Sequence, residues 1–134
     1  LIENNVTTNN YRGIWLESSL NSTVIGNNIT ANKYYGIHLS SSLNSTVIGN
    51  NIVANKGDGI DLWASLNSII IGNNIIANNR YGIYIWRSSN NKSSAKTAPI
   101  FGMMVILQAA TTGAITVVLI CIKVQIRISM EVTG

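Results

Sequence analysis

Charge is what this sequence has least of. Charged residues make up 10% of its 134 positions, against about a quarter in an ordinary soluble domain. The net charge of +4 is spread over both ends. No run of Lys or Arg forms a stripe, which excludes the electrostatic footprint of a nucleic-acid binder. The one cysteine, Cys121, sits inside an apolar run. That excludes an intrachain disulfide and any CxxC or Cys/His metal spacing. Pro99 is the one proline and His38 the one histidine. The start, Leu1-Ile2-Glu3-Asn4, has neither the basic nor the apolar region of a signal peptide. It falls in the middle of a repeat, so this says little about export.

What is present is asparagine, with Ser, Thr, Ile and Gly, arranged periodically. SLNSTVIGNNITAN ends at Asn32, SLNSTVIGNNIVAN at Asn55 and SLNSIIIGNNIIAN at Asn78. A fragment, LIENNVTTN, ends at Asn9, and each terminal Asn lies 23 residues from the next. The rest of the unit is as regular. Gly13, Gly36, Gly59 and Gly82 are each followed by Ile, and two residues later by Leu16, Leu39, Leu62 or Ile85.

A unit this short cannot bury a core alone and must stack on its copies. Its apolar runs are short, β-branched and bounded by Gly and Asn, and Gly-Ile-x-Leu alternates at period two, which is a strand signal. Nothing has helical spacing, and the Leu offsets of a leucine-rich repeat are missing. The sequence therefore predicts an all-β fold: a right-handed parallel β-helix of about four 23-residue coils. Ile14 and Leu16 should point inward and Trp15 outward. A bend is expected at Gly26-Asn27-Asn28, where Gly and Asn tolerate left-handed backbone. The columns Asn4, Asn27, Asn50, Asn73 and Asn9, Asn32, Asn55, Asn78 should form amide ladders one strand spacing apart. Stacked amides attract where stacked charges would repel, which accounts for the missing charge. These Asn and Ile columns are read as fold residues rather than a site.

The pattern YGIhLssSlNstViGNNItaN resembles the repeats of the NosD-type family, and the wider β-helix group of carbohydrate-binding and sugar-hydrolase proteins to which pectate lyases belong. The resemblance covers residues 1–92. It implies the fold strongly and an activity weakly, because such folds host many functions. Copper-site maturation, which the NosD resemblance brings with it, finds poor support: His38, Met103, Met104 and Cys121 make no ligand cluster in the sequence. No metal and no cofactor is expected.

Function should live where coils differ. By register, Trp15, His38, Asp61 and Tyr84 form one outward column, and Glu17, Ser40, Trp63 and Trp86 the next. Tyr34, Tyr35 and Tyr81 lie just before the strand. Aromatic faces with polar groups beside them suit sugar rings, so Trp15, His38, Asp61, Trp63, Tyr84 and Trp86 are the expected ligand-binding residues; packing against a loop or another chain is the plainer reading. Asp58 and Asp61, in Lys56-Gly-Asp-Gly-Ile-Asp61, are the weak candidates for catalysis. Glycoside hydrolysis needs two carboxylates flanking a bond, but an Asp-Gly turn is also a common solvated feature. Two carboxylates fall short of a calcium site. Sequons occur at Asn5, Asn21, Asn28, Asn44 and Asn91, with Asn21 and Asn44 the better placed.

The repeat gives way to a polar stretch, Arg87 to Lys96, and composition changes at Pro99. Residues 100–122 carry no charge, a length sufficient to cross a hydrocarbon layer of about 30 Å, with Lys123 and Arg127 following. The rival reading is a β-hairpin capping the solenoid, because 122–132 alternates at period two. The expected organisation is 1–92 repeats, 93–99 linker, 100–122 membrane segment and 123–134 tail. The whole reads as an exported β-helix protein at the cell surface or in the periplasm, membrane-anchored, with a structural or glycan-binding role. The alternatives are a fragment of a polysaccharide lyase or hydrolase and a NosD-like accessory protein.

Overall fold

The computed structural model describes the backbone of residues 1–98, 103–109, 115–121 and 126–131, and side chains over residues 1–93. It is a parallel β-solenoid built from two sheets. One sheet stacks Ile14–Glu17, Ile37–Ser40, Ile60–Trp63 and Ile83–Trp86 in parallel register. The other stacks two limbs per coil, Thr23–Ile25 with Thr46–Ile48, and Asn5–Thr7 with Asn28–Thr30 and Asn51–Val53. Both limbs run into the long strand Ile69–Ile76. Every partner across these ladders is its own copy 23 positions away: Ile14 on Ile37 on Ile60 on Ile83, and Val24 on Val47 on Ile70.

The inside is a stack of identical apolar layers. Ile37, Leu39, Val47, Ile52, Ile60, Leu62 and Ile70 are fully buried, with Ile14, Val24, Ile29, Ile75, Ile83 and Ile85 completing the core. Burying each such side chain contributes about 1.5–3 kcal/mol.

At the corners, amides close what the strands leave open. In one ladder Asn27 Nδ2 donates to Asn50 Oδ1 (2.9 Å), and Asn50 Nδ2 to Asn73 Oδ1 (2.9 Å). In the other, Asn32 Nδ2 donates to Asn55 Oδ1 (2.8 Å), and Asn55 Nδ2 to Asn78 Oδ1 (2.9 Å). Each of these oxygens also accepts the backbone N–H of the Asn above, and the spare amide protons go to strand carbonyls, as Asn50 Nδ2 does to Val24 O (3.0 Å). A third corner does the same with hydroxyls. Ser65 Oγ accepts from Ser42 N (3.1 Å), and its one proton is within reach of Leu39 O (3.3 Å) and Trp63 O (3.1 Å). A further amide column, Asn5, Asn28, Asn51, Asn74, runs along the outside.

Two glycine columns are present for different reasons. Gly26, Gly49 and Gly72 take φ of +65°, +63° and +66° at the bend, where a side chain would be strained. Gly36 has ordinary φ, but a Cβ there would lie 2.6 Å from the carbonyl oxygen of Gly59 and 2.6 Å from Ile52 Cγ2. Left-handed backbone also falls on Ala31, Ala54 and Ala77, residues with no preference for it.

Beyond the coils, the described backbone pieces Met103–Ala109, Ile115–Cys121 and Ile126–Glu131 are strand. No helix among the described residues is long and apolar enough to cross a membrane. The expected linker 93–99, membrane segment 100–122 and tail 123–134 each include residues outside the described ones, so anchor and cap both stand as expectations.

Candidate functional site

The outward face of the first sheet carries the positions at which coils differ. The ladder places Trp15, His38, Asp61 and Tyr84 side by side, and Glu17, Ser40, Trp63 and Trp86 in the adjacent column. Three positions before each member of the first column stands a second set at the turn: Arg12, Tyr35, Asp58 and Tyr81.

These two sets pair coil by coil. The Arg12 guanidinium lies 4.6 Å from the Trp15 ring centroid. Tyr35 stacks on His38 at 5.2 Å, with the planes 22° apart. In the third coil the two positions are both carboxylates, Asp58 and Asp61, near enough for the charge of Asp61 to act on Asp58. Tyr81 stacks on Tyr84 at 5.4 Å and 14°. Register alone places the outward column and sets Tyr35 and Tyr81 just before it, but the expected binding residues leave out Arg12, Tyr35 and Tyr81. The signal was available, since a three-residue offset repeats in every coil with a different chemical pair each time.

Outward does not mean exposed for the middle two coils. His38 is 8% and Asp61 4% exposed, while Trp15 remains 51% and Trp63 44% exposed. Tyr35 and Tyr84 flank the polar pair, which is why a strand pattern alone could not show its burial. His38 Nδ1 bonds Asp61 Oδ2. An ionised carboxylate can only accept, so beside an ionised Asp61 the donor is Nδ1, and Nε2 is the ring nitrogen this contact leaves over.

Asp58 differs from the solvated turn expected of it. It is 1% exposed, because the next coil closes over it. One oxygen accepts the Tyr81 N–H (2.9 Å), and the other lies 3.7 Å from Arg80 Nη1. Burial pushes its pKa above the ordinary carboxylate value, partly offset by that N–H bond and by Arg80, while Asp61 pushes it up further. The Tyr35 and Tyr84 hydroxyls are also raised, first by burial and then by the negative charge of Asp61, so both stay protonated donors at neutral pH.

At one end of the strip Arg12 lies among three rings. Its Cζ is 4.4 Å from the Tyr11 centroid and 5.7 Å from that of Tyr35, besides Trp15. Its Nε is buried with no hydrogen-bond partner. At the other end Trp63 and Trp86 sit 6.2 Å apart in the adjacent column.

The family described as periplasmic copper-binding protein (NosD) matches residues 1–94. The chain belongs to the NosD family. Among solved structures, this NosD-family chain resembles the periplasmic alginate epimerase AlgG. One AlgG mutant structure is 36% identical over 68% of this chain and 22% of that one, with a TM-score of 0.66. A double mutant is 31% identical over 84% of this chain and 28% of that one, with a TM-score of 0.72. The chain thus spans about a quarter of the epimerase's length. No curated protein matches.

The copper of the family description can be tested against these residues. Among the described residues no three His, Cys, Asp or Glu side chains converge, and the Nδ1 of His38 is already bonded to Asp61. A copper site takes several soft or imidazole ligands. The described residues do not fit one, and the side chains of Met103, Met104 and Cys121 lie outside them.

Proposed function

We propose that this chain is a polysaccharide-binding segment of an exported β-helix protein, with the strip from Arg12 to Tyr84 as its glycan face. One observation carries the reading: each coil presents a different outward pair on an otherwise identical scaffold, and three of the four pairs contain an aromatic ring. Four strands in register give a strip roughly 14 Å long, which suits a short stretch of sugar chain lying across the coils. Trp15, Trp63 and Trp86 offer apolar ring faces to sugar C–H faces, while the Tyr35 and Tyr84 hydroxyls offer donors. The likeness to an alginate epimerase supports a polysaccharide as ligand, and both matched descriptions are of periplasmic proteins.

A second reading is favoured by the His38–Asp61 pair. A histidine oriented through Nδ1 by a carboxylate carries a free Nε2 able to move a proton. In that reading the chain is part of a polysaccharide-processing enzyme, with His38 as the base and Asp58 and Asp61 as supporting carboxylates. A glycan-array screen of the full chain, run beside assays for reducing-end release and for exchange of sugar C–H protons, separates the two. Binding without turnover supports the binding module, and turnover abolished by His38→Gln supports the enzyme. Full binding by the Trp15→Ala/Trp63→Ala/Trp86→Ala variant would sink the glycan face.

A further inference from the structure

Resting on the glycan reading, we infer that the ligand is a neutral, extended chain of equatorially linked sugars, and that it crosses the coils on a slant, stacking alternate sugars on Trp15 and Trp63. The spacing of the exposed rings selects the linkage. Aromatics in neighbouring coils lie one strand spacing apart and touch each other: Tyr11 with Tyr34 at 4.9 Å, and Trp63 with Trp86 at 6.2 Å. Each such pair is one platform, too short for two sugars. Trp15 and Trp63 are different. Both are about half exposed, and they stand two coils and one outward position apart, Trp15 in register with His38 and Asp61, and Trp63 with Ser40. Two strand spacings and a two-residue rise separate them by roughly 12 Å at the backbone, comparable to two sugar units of an extended chain. In an equatorially linked chain each sugar is flipped relative to the last, so alternate sugars turn the same face to the protein. A chain with an axial linkage coils and loses that match.

The groups beside Trp15 select against a charged sugar. The Arg12 guanidinium lies 4.6 Å from the ring, and Glu17, which is exposed, is the next outward residue along the strand. Neither forms an ion pair among the described residues, whereas Asp58 lies against Arg80 and Asp61 bonds His38. A sugar on Trp15 therefore lies between a guanidinium that donates and a carboxylate that accepts. Sugar hydroxyls both donate and accept, so one neutral ring satisfies the two groups through charge-assisted hydrogen bonds. A sugar carrying its own carboxylate gains at Arg12, is repelled at Glu17, and still bears the cost of desolvating its charge. Between the two rings the second coil offers His38 and Ser40, polar side chains rather than a third platform. That suits the intervening, flipped sugar.

The test measures binding of the full chain, by calorimetry, to oligosaccharides of graded length. Two platforms need three consecutive sugars, so affinity should rise at least about tenfold from β-linked mannobiose to β-linked mannotriose. Trp15→Ala and Trp63→Ala should each abolish that step, while Trp15→Phe and Trp63→Phe keep most of it. Maltotriose, with its axial linkage, should show no such gain over maltose. The mannuronate trisaccharide has the linkage of mannotriose and a carboxylate on every ring. It should bind more weakly than mannotriose, and Glu17→Gln should narrow that gap. An equal step from maltose to maltotriose overturns the choice of linkage. Mannuronate binding as tightly as mannotriose, or more tightly, overturns the choice of a neutral sugar. Longer neutral chains that bind with no step at the third sugar overturn the slanted path while leaving the glycan face standing. Binding to no arrayed glycan of any kind overturns the glycan reading itself. Both rings are exposed, so circular dichroism of the alanine variants should match the parent, and the phenylalanine variants keep the test independent of folding.

Discussion

The inside and the outside of the coil follow opposite rules. Inside, every position meets a copy of itself: Ile37 on Ile60, Asn27 on Asn50, Ser42 on Ser65. Outside, along Trp15, His38, Asp61 and Tyr84, no position meets its like. Like-on-like stacking suits groups that attract their own kind, which apolar side chains and amides do and charges do not. The outward column is therefore free of the constraint that makes the interior monotonous. It can hold a histidine beside a carboxylate because it has no need to repeat either. The repeat builds the scaffold, and the departures from the repeat build the site.

That contrast can be broken most severely at an inner amide. Asn50→Ala should cost about 4 kcal/mol in urea unfolding. It strips the acceptor from Asn27 N and Nδ2 and the donor from Val24 O and Ile48 O, and each buried group left unpaired costs roughly 1–3 kcal/mol. The outward amide Asn51→Ala, one residue along, should cost under about 1 kcal/mol, since partly exposed partners find water. Similar losses at the two positions would mean that the ladders matter by stacking alone.

The glycine columns come next. Gly36→Ala should cost about 3 kcal/mol, because the new methyl group meets a backbone oxygen and a packed isoleucine that cannot yield. Gly49→Ala, in open space at φ +63°, should cost only about 1 kcal/mol. Equal melting shifts would refute the distinction between crowding and backbone conformation.

The smallest effect is on the outside. Asp58 has a folded-state pKa raised by burial, so the folded chain binds its proton more tightly than the unfolded chain does. Stability from this group rises as pH falls through the raised value and is lost as pH climbs above it. Asp58→Asn should therefore match or exceed the parent's melting temperature at pH 7. The difference should shrink as pH falls and the parent takes up the proton. A clear drop at pH 7 would show that the Arg80 pair outweighs burial, against the 3.7 Å separation and the half-exposed Arg80 side chain.

Much of the scaffold was legible because its rules are local and periodic. The Ile columns, both inner Asn ladders and the outward register follow from a 23-residue period and strand alternation. The serine ladder was equally visible, as the Ser of every SLNS segment, but a small hydroxyl carries no strong signal until its backbone partners are known. The left-handed Ala54 was not legible at all: alanine has no preference for that conformation, and the ladder on Asn55 imposes it. The site was half legible. Register places Asp61 beside His38, but whether they are open to water depends on where Tyr35 and Tyr84 turn their rings. Asp58 looked like an ordinary turn until the following coil covered it.

The uniform 23-residue register has a consequence for how the chain finds its fold. A coil that pairs with the wrong neighbour, skipping one repeat, still puts Ile on Ile and Asn on Asn. The interior cannot detect that error. The connection between consecutive coils disfavours it, since a skipped coil must be looped out, and the outward contacts penalise it. Pairing Arg12's coil directly with that of Asp58 would strand Tyr35 and leave His38 without Asp61. The irregular pairs on the surface thus give each coil an address, and in-order assembly is written in the residues that break the pattern.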